Sequence, residues 1–156
     1  MGNCFLAPRW PLGPSGRSRV TLAVSIWSAR GGVVENSAIR TPAHPVGISD
    51  GLIEELASAI AGRVPGVREL ILFGSRADGT YSSDSDLDLF VLVDGYERDR
   101  LHTTMACAAA AAAPARRRGL KRDVIAASVG DYRQRRAMAG SVEQEVYLKG
   151  VTIYAA

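Results

Sequence analysis

The sequence predicts an α/β (α+β) fold, in which a small mixed β-sheet is flanked by helices. Apolar runs of strand length alternate with segments of helical spacing through most of the chain, and this alternation is typical of that class. The 156 residues, of which 47% are hydrophobic and 22% charged, suit one globular domain of ordinary size.

Residues 1–46 lack this alternation. They are rich in Gly, Pro, Ser and Arg and show no sustained periodicity. We therefore expect them to be a disordered extension or the product of a mis-assigned translation start. Residues 47–156 are expected to form the folded domain.

The composition also limits where the protein works. No apolar run approaches the roughly 20 residues that span a bilayer, so we expect no membrane segment. Cys4 and Cys107 lie far apart and form no Cys-x-x-Cys pattern, which favours a reduced, cytoplasmic setting. The net charge of +3 permits an anionic partner such as a nucleotide without requiring one.

The first predicted elements are a helix, a strand, a turn and a second strand. Ser49 is typical of a helix start, and Pro65 is typical of a position just after its end. Apolar runs predict strands over residues 67–73 and 86–93. A Gly-Ser step after the first strand predicts a turn into a short helix or loop.

The next segment predicts a helix, a strand and a further helix. The Ala-rich run favours a helix over residues 96–113, and Pro114 is expected to end it. Residues 120–128 read as a third strand. Asp131 is then expected to cap a helix that runs to Met138.

A capping motif predicts the last helix. Ser141, followed three residues later by Gln144, has the spacing of a capping box. Gly150 is expected to end this helix, and residues 151–154 read as a last short strand.

Two carboxylates, Asp86 and Asp88, stand at the start of the second predicted strand. Side chains two residues apart leave the same face of a strand, whereas Leu87 and Leu89 point to the other face and can enter the core. Adjacent ionised acids repel each other, and a hard divalent cation such as Mg²⁺ relieves that repulsion. The pattern therefore predicts a metal site.

Gly74 and Ser75, at the end of the preceding strand, suit a bound phosphate. Glycine lets the backbone approach a phosphate closely, and the serine hydroxyl adds a donor. Thr80 and Tyr81 stand where a P-loop requires Lys and then Ser or Thr, which excludes that motif. Two-metal phosphoryl transfer usually needs a further carboxylate, and Asp123, an acid within an apolar strand, is the best candidate.

These residues resemble the minimal nucleotidyltransferase group of the polymerase-beta-like nucleotidyltransferase superfamily. That group carries Gly-Ser, then ten residues, then Asp-x-Asp, and the segment from Gly74 to Asp88 has this spacing. The similarity covers roughly residues 50–156 and includes the C-terminal segment from Gly140 onward. Asp78 departs from the group's pattern, in which a basic or neutral residue is more usual.

The resemblance implies a fold and a reaction. A mixed sheet with flanking helices would transfer AMP from ATP in a Mg²⁺-dependent reaction, with pyrophosphate leaving. Asp86 and Asp88 would hold two Mg²⁺ ions, and Asp123 would complete the second ion's site and help activate the attacking hydroxyl. Gly74 and Ser75 would bind the β- and γ-phosphates. Catalysis would then consist mostly of positioning and charge neutralisation.

The resemblance also implies a partner. Many members of the minimal group are antitoxins that add AMP to a tyrosine of a helical HEPN-type toxin, so we expect a small HEPN-type toxin protein as acceptor. Antibiotic-modifying relatives carry a further domain that shapes an acceptor pocket. The recognisable core here is only about 100 residues, near the lower part of the usual domain range, which favours a protein acceptor.

Two other functions are compatible with the sequence. The first alternative is a small-molecule nucleotidyltransferase of the antibiotic-modifying type that works as a dimer. The second is a non-catalytic module that neutralises a toxin by contact. The paired carboxylates argue against the silent module, because such a module has no need of charges that repel.

Basic residues cluster between positions 116 and 136. The cluster consists of Arg116, Arg117, Arg118, Lys121, Arg122, Arg133, Arg135 and Arg136. It is either a solvated face or a docking surface for a nucleotide, RNA or another anionic partner. We therefore expect the protein to bind a nucleic acid only through this cluster or through the toxin partner.

Overall fold

The computed structural model describes residues 20–23, 38–40, 46–94 and 99–156. In these ranges six strands form one sheet in the order β1-β2-β6-β3-β4-β5. The strands are β1 (Val20–Ala23), β2 (Ala38–Arg40), β3 (Val67–Phe73), β4 (Leu87–Val93), β5 (Arg122–Ser128) and β6 (Val151–Ala155). The helices are α1 (Asp50–Arg63), α2 (Ser75–Asp78), α3 (Arg100–Arg117), α4 (Val129–Arg135) and α5 (Val142–Lys149).

The sheet is mixed, as the sequence predicts. β4 and β5 pair in parallel, whereas β3 pairs antiparallel with both β4 and β6. A parallel pair needs a crossover connection, and α3 provides it between β4 and β5. The predicted fold class is therefore confirmed.

Alternate residues of the strands enter two separate apolar cores. Leu87, Leu89 and Val91 of β4 pack against α1 and α3 on one face of the sheet. Phe90 and Leu92 pack on the opposite face, where Tyr132 of α4 and Val146 of α5 cover them. The prediction that Leu87 and Leu89 point into the core is confirmed, since both are fully buried.

The first helix and the strand after it agree with their local signals. Ser49 is the N-cap of α1, and its Oγ accepts a hydrogen bond from the Leu52 N–H at 3.4 Å. The buried stripe of α1 includes Leu56 and Ile60 at helical spacing. The helix ends at Arg63, shortly before Pro65, and β3 spans the seven residues predicted for it.

The prediction that Pro114 ends α3 is wrong. The helix runs from Arg100 to Arg117, with Pro114 buried inside its last turns. A proline within a helix loses one backbone hydrogen bond. Here the small residues Ala111 and Ala115 let the last turns pack closely into the core, so tertiary burial outweighs that loss. Residues 96–98, the predicted start of this helix, lie outside the described residues.

The start of α4 also differs from its prediction. Ser128, the last residue of β5, is the N-cap, and its Oγ accepts a hydrogen bond from the Asp131 N–H at 2.8 Å. Asp131 therefore lies in the first turn and does not cap the helix. The helix ends at Arg135, three residues earlier than predicted. The direct step from strand to helix leaves no loop in which Asp131 would act as cap.

Ser141 is the N-cap of α5, as predicted. Its Oγ accepts a hydrogen bond from the Gln144 N–H at 3.1 Å. The Gln144 Oε1 accepts from the Gly140 N–H at 3.0 Å, one residue before the position that a capping box uses. The Ser141 N–H instead donates to the Met138 carbonyl, so the motif begins the helix in a modified form.

Strands β1 and β2 lie within residues 1–46, the segment for which the sequence predicts a disordered extension or a mis-assigned translation start. β2 pairs antiparallel with β6, with Ile39 opposite Tyr154, and β1 continues the sheet beyond β2. The other residues of the 1–46 segment, apart from Val46, lie outside the described ranges, so their disorder or mis-assignment stays a prediction. Within the described ranges no helix has the length and apolar character needed to cross a bilayer.

Two glycines with opposite surroundings test the packing of the helices. A Cβ added at Gly150 would overlap the Val146 carbonyl oxygen and lie 2.7 Å from Ile71 Cγ2, whereas Gly62 in α1 has nothing within 4 Å. We expect Gly150→Ala to destabilise the fold by about 2 kcal/mol through overpacking. Gly62→Ala should stabilise it by about 0.5–1 kcal/mol. Urea unfolding of both variants measures the difference, and equal effects would contradict the packing described.

Candidate active site

Asp88 and Asp123 lie side by side at one end of the sheet. They are partners in the parallel register of β4 and β5, and neighbouring strands lie about 4.8 Å apart. Both therefore leave the sheet on the same face, the one that α4 and α5 cover further along. Asp88 is partly buried, whereas Asp123, on the edge strand β5, is exposed. The structure thus brings together two of the three predicted carboxylates by strand register.

Asp86 lies one residue before β4, whereas the sequence predicts it within the strand. Its carbonyl accepts a hydrogen bond from Arg76 Nε at 3.1 Å, so its backbone is held by a side chain. The regular pairing with β5 begins at Leu87, whose N–H donates to the Lys121 carbonyl at 2.9 Å. The Asp86 side chain is exposed at this end of the sheet.

The surroundings of Asp88 disfavour the ionised form of its carboxyl. Burial raises the pKa of its carboxyl, and the negative charges of Asp123, Asp86 and Glu145 raise that pKa further. The positive charge of Arg76 acts in the opposite direction. The three predicted carboxylates are therefore close enough to interact, and the group has an excess of negative charge.

This excess charge bears on metal binding. Among the described residues, no three His, Cys, Asp or Glu side chains form a ready-made metal-binding group. The available donors are carboxylate oxygens, which suit a hard cation, and Mg²⁺ typically takes one or two carboxylates together with substrate phosphates. The residues therefore fit a divalent ion that binds together with a phosphate ligand.

Gly74 is in direct contact with this carboxylate group. It follows Phe73, the register partner of Asp88, and a Cβ at this position would overlap Asp88 Oδ2. Its φ of 67° also favours glycine over other residues. Ser75 begins α2 directly afterwards and is partly exposed. The predicted phosphate turn and the predicted metal ligands are thus neighbours in space.

Arg76 organises the loop around the site, although no pattern in the sequence marks it for such a role. Its side chain is only 4% exposed and donates hydrogen bonds to the carbonyls of Gly47 at 2.7 Å, Ser85 at 2.7 Å and Asp86 at 3.1 Å. Its guanidinium also lies 5.3 Å from the centre of the Tyr81 ring. Arg76 therefore ties the segment before α1 to the loop that presents Asp86.

Helix α5 contributes two charged residues that no sequence motif identifies. Glu145 acts electrostatically on Asp88, and Lys149 acts on Asp78 of α2. Residues four apart lie on the same face of a helix, so this face of α5 is turned toward the site. Their helical spacing was visible in the sequence, but which neighbours they face depends on how α5 packs.

The basic cluster does not form one surface. Arg117 and Arg118 form salt bridges with Glu55 of α1, on one side of the sheet. Arg135 pairs with Glu143 of α5 on the other side. Residues that are adjacent in the sequence are thus divided between two faces, because α3 and α4 pack on opposite sides of the sheet.

Comparisons with known proteins give one family and several similar structures. The sequence profile of the family described as "Nucleotidyltransferase domain" matches residues 53–151. Among solved structures, one described as a toxin-antitoxin with AMP-PNP shares 21% identity, with 70% of this chain and 75% of that chain covered and a TM-score of 0.48. A mutant of the toxin-antitoxin MntA-HpeT shares 17% identity, with 70% and 75% covered and a TM-score of 0.47. A candidate nucleotidyltransferase from Sulfolobus solfataricus shares 22%, with 66% and 77% covered and a TM-score of 0.45. A search of curated protein sequences finds no match.

The contact between Gly74 and Asp88 can be isolated with a matched glycine. Gly79 also has positive φ, 83°, but nothing lies within 4 Å of a Cβ added there. Gly79 is left-handed with ψ 6°, so Gly79→Ala should lose about 1 kcal/mol through backbone strain. Gly74 has ψ −159°, a region almost restricted to glycine, so Gly74→Ala should lose more through strain and about 2 kcal/mol further through the overlap. Urea unfolding should show that the loss in Gly74→Ala shrinks by about 2 kcal/mol in the Asp88→Ala background, whereas the loss in Gly79→Ala stays the same. A loss in Gly74→Ala of equal size in both backgrounds would contradict the contact.

The role of Arg76 can be tested by removing its hydrogen bonds. Hydrogen bonds from a charged donor contribute about 1.5–3 kcal/mol each to stability, so we expect Arg76→Met to lose about 3 kcal/mol or more. The loop at residues 79–86 should become sensitive to proteases in this variant. Exposed Arg116, at the end of α3, provides the control, since Arg116→Met should change stability by less than about 1 kcal/mol. Unchanged protease resistance of the loop in Arg76→Met would refute the proposed anchor.

Proposed function

The chain belongs to the nucleotidyltransferase-domain family, and we propose that it transfers AMP from ATP to a hydroxyl of a partner protein. The proposal is supported above all by one arrangement, the group of Asp86, Asp88 and Asp123 beside the turn at residues 74 and 75. The turn suits a phosphate and the carboxylates suit divalent ions. Nucleotidyl transfer needs both groups within a few ångströms of each other.

Asp86, Asp88 and Asp123 would hold two Mg²⁺ ions. The support for this assignment is the repulsion that raises the pKa of Asp88, because a divalent cation would relieve it. When bound, Mg²⁺ would neutralise the triphosphate and the developing charge on the departing pyrophosphate.

Apart from that of Arg76, the remaining roles are those that the motif resemblance implies. The Gly74 backbone and the Ser75 hydroxyl would bind the β- and γ-phosphates. Exposed Asp123 would accept the proton of the attacking hydroxyl, whose oxygen bonds to the α-phosphorus as the bond to the β-phosphate oxygen breaks. Arg76 would hold Asp86 in place through its carbonyl.

The acceptor would be a side chain of another protein. The exposure of Asp86 and Asp123 supports this, because an open site admits a hydroxyl carried on a large partner. Together with the motif resemblance, it favours the antitoxin of a toxin–antitoxin pair, acting in the cytoplasm on a small helical HEPN-type toxin. Transfer of label to a small molecule instead would favour the antibiotic-modifying alternative.

A transfer assay tests this function. The protein is incubated with α-³²P-labelled ATP, Mg²⁺ and the product of its neighbouring gene. We expect label on the partner with wild type and a loss of at least about 10³-fold with Asp88→Asn, in line with the weight of electrostatic groups in such sites. Asp84→Asn, an exposed acid of the same loop, should keep its activity. Absence of transfer by wild type, together with full toxin neutralisation by Asp88→Asn, would refute the proposal in favour of a binding module.

The same variant should gain stability. Because the folded state raises the pKa of Asp88, ionisation costs folding free energy once the pH passes above its unfolded value of about 3.9. At neutral pH without metal, we expect Asp88→Asn to melt a few degrees higher than wild type. This advantage should vanish as the pH falls below the unfolded pKa, where both states carry a protonated group. Thermal melts across pH measure it, and a destabilised Asp88→Asn at neutral pH would contradict it.

A further inference from the structure

The C-terminal end of α5 lies beside the turn at residues 74–78. Val151 of β6 pairs antiparallel with Leu72 of β3, so the chain before Val151 and the chain after Leu72 lie at the same end of the sheet. Lys149 lies two residues before Val151, and Gly74 lies two residues after Leu72. The packing of Gly150 against Ile71 leaves no room for a Cβ and fixes this end of α5 on β3.

The turn carries a negative charge that opposes phosphate binding. Asp78 ends α2, and its Oδ1 accepts hydrogen bonds from the Thr80 N–H at 3.0 Å and the Thr80 Oγ1 at 2.6 Å. These hydrogen bonds lower the pKa of Asp78, and the positive charge of Lys149 lowers it further. Asp78 is therefore ionised at neutral pH, and the ammonium of Lys149 lies near enough to act on it.

The cation within the turn is not available to a ligand. Arg76 is buried, and its guanidinium is engaged by the carbonyls of Gly47, Ser85 and Asp86. Lys149 is exposed, and within the described ranges no hydrogen bond or salt bridge occupies its ammonium. Lys149 is thus free to meet a bound anion, and its charge already acts on Asp78 of the turn.

We propose that Lys149 binds the β,γ-phosphate end of a nucleoside triphosphate at the turn formed by residues 74–78. The ammonium would act as a point charge on the phosphate oxygens and offset the repulsion from Asp78. Glu145 lies one turn earlier on the same face of α5 and acts on the carboxylate group, so the two charges face different parts of one site. This inference rests on the proposed nucleotidyl transfer and adds a binding residue to it.

Calorimetric titration with two nucleotides tests the assignment without catalysis. AMP-PNP carries the β- and γ-groups and AMP lacks them, and both are titrated in the presence of Mg²⁺. We expect Lys149→Gln to weaken AMP-PNP binding about tenfold or more and to leave AMP binding unchanged. Arg116→Gln removes the same charge at the end of α3 and should change neither affinity.

Two further variants examine the charge balance. Asp78→Asn should tighten AMP-PNP binding, because it removes the repulsion within the turn. Lys149→Arg, which keeps the charge, should retain most of the affinity of the wild type. Circular dichroism of each variant checks that the fold is intact.

The outcomes separate this inference from the proposed function. If wild type and Lys149→Gln bind AMP-PNP equally, the assignment of Lys149 is overturned while the proposed function stands. An equal loss of AMP and AMP-PNP affinity in Lys149→Gln would also overturn it, because the effect would not depend on the terminal phosphates. If the wild type binds neither nucleotide, the proposed function fails and this inference fails with it.

Discussion

The parallel pairing of β4 with β5 is the constraint on which the site depends. It sets Asp88 beside Asp123 at the end of two strands whose other residues are almost entirely apolar. A slip of one residue in this register would turn Asp123 toward the core that α1 and α3 cover, where an ionised carboxylate is costly. The two apolar cores fix the register, and the register in turn holds two like charges together.

Local devices then adapt the surrounding chain to that pair of charges. Gly74 leaves the space that Asp88 Oδ2 occupies, and its positive φ turns the chain away from β3. Buried Arg76 satisfies the carbonyls of the Asp86 loop and supplies positive charge close to Asp88. Neither residue contributes to a regular strand or a long helix. Gly74 makes room for the Asp88 carboxylate, and Arg76 holds the loop that presents Asp86.

Two charged residues of α5 also act on this group of residues. The helix packs its apolar face, including Val146, on the sheet and turns Glu145 and Lys149 toward the site. The Glu145 carboxylate adds to the repulsion around Asp88. The Lys149 ammonium lies near the turn at residues 74–78, which would bind phosphates. The site is therefore polarised, with negative charge at the strand ends and available positive charge beside the turn.

The sequence by itself determined the fold class, the extent of β3 and the caps of α1 and α5, because these depend on apolar periodicity and on hydrogen bonds between residues close in the chain. It also identified the Gly-Ser turn and three acids as a candidate site. Only the tertiary structure decided that Pro114 stays within α3 and that Ser128 caps α4, since packing and strand ends set those boundaries. The hydrogen bonds of Arg76 and the charged neighbours of Glu145 and Lys149 also depend on the tertiary structure, because these contacts join residues that are distant in the sequence.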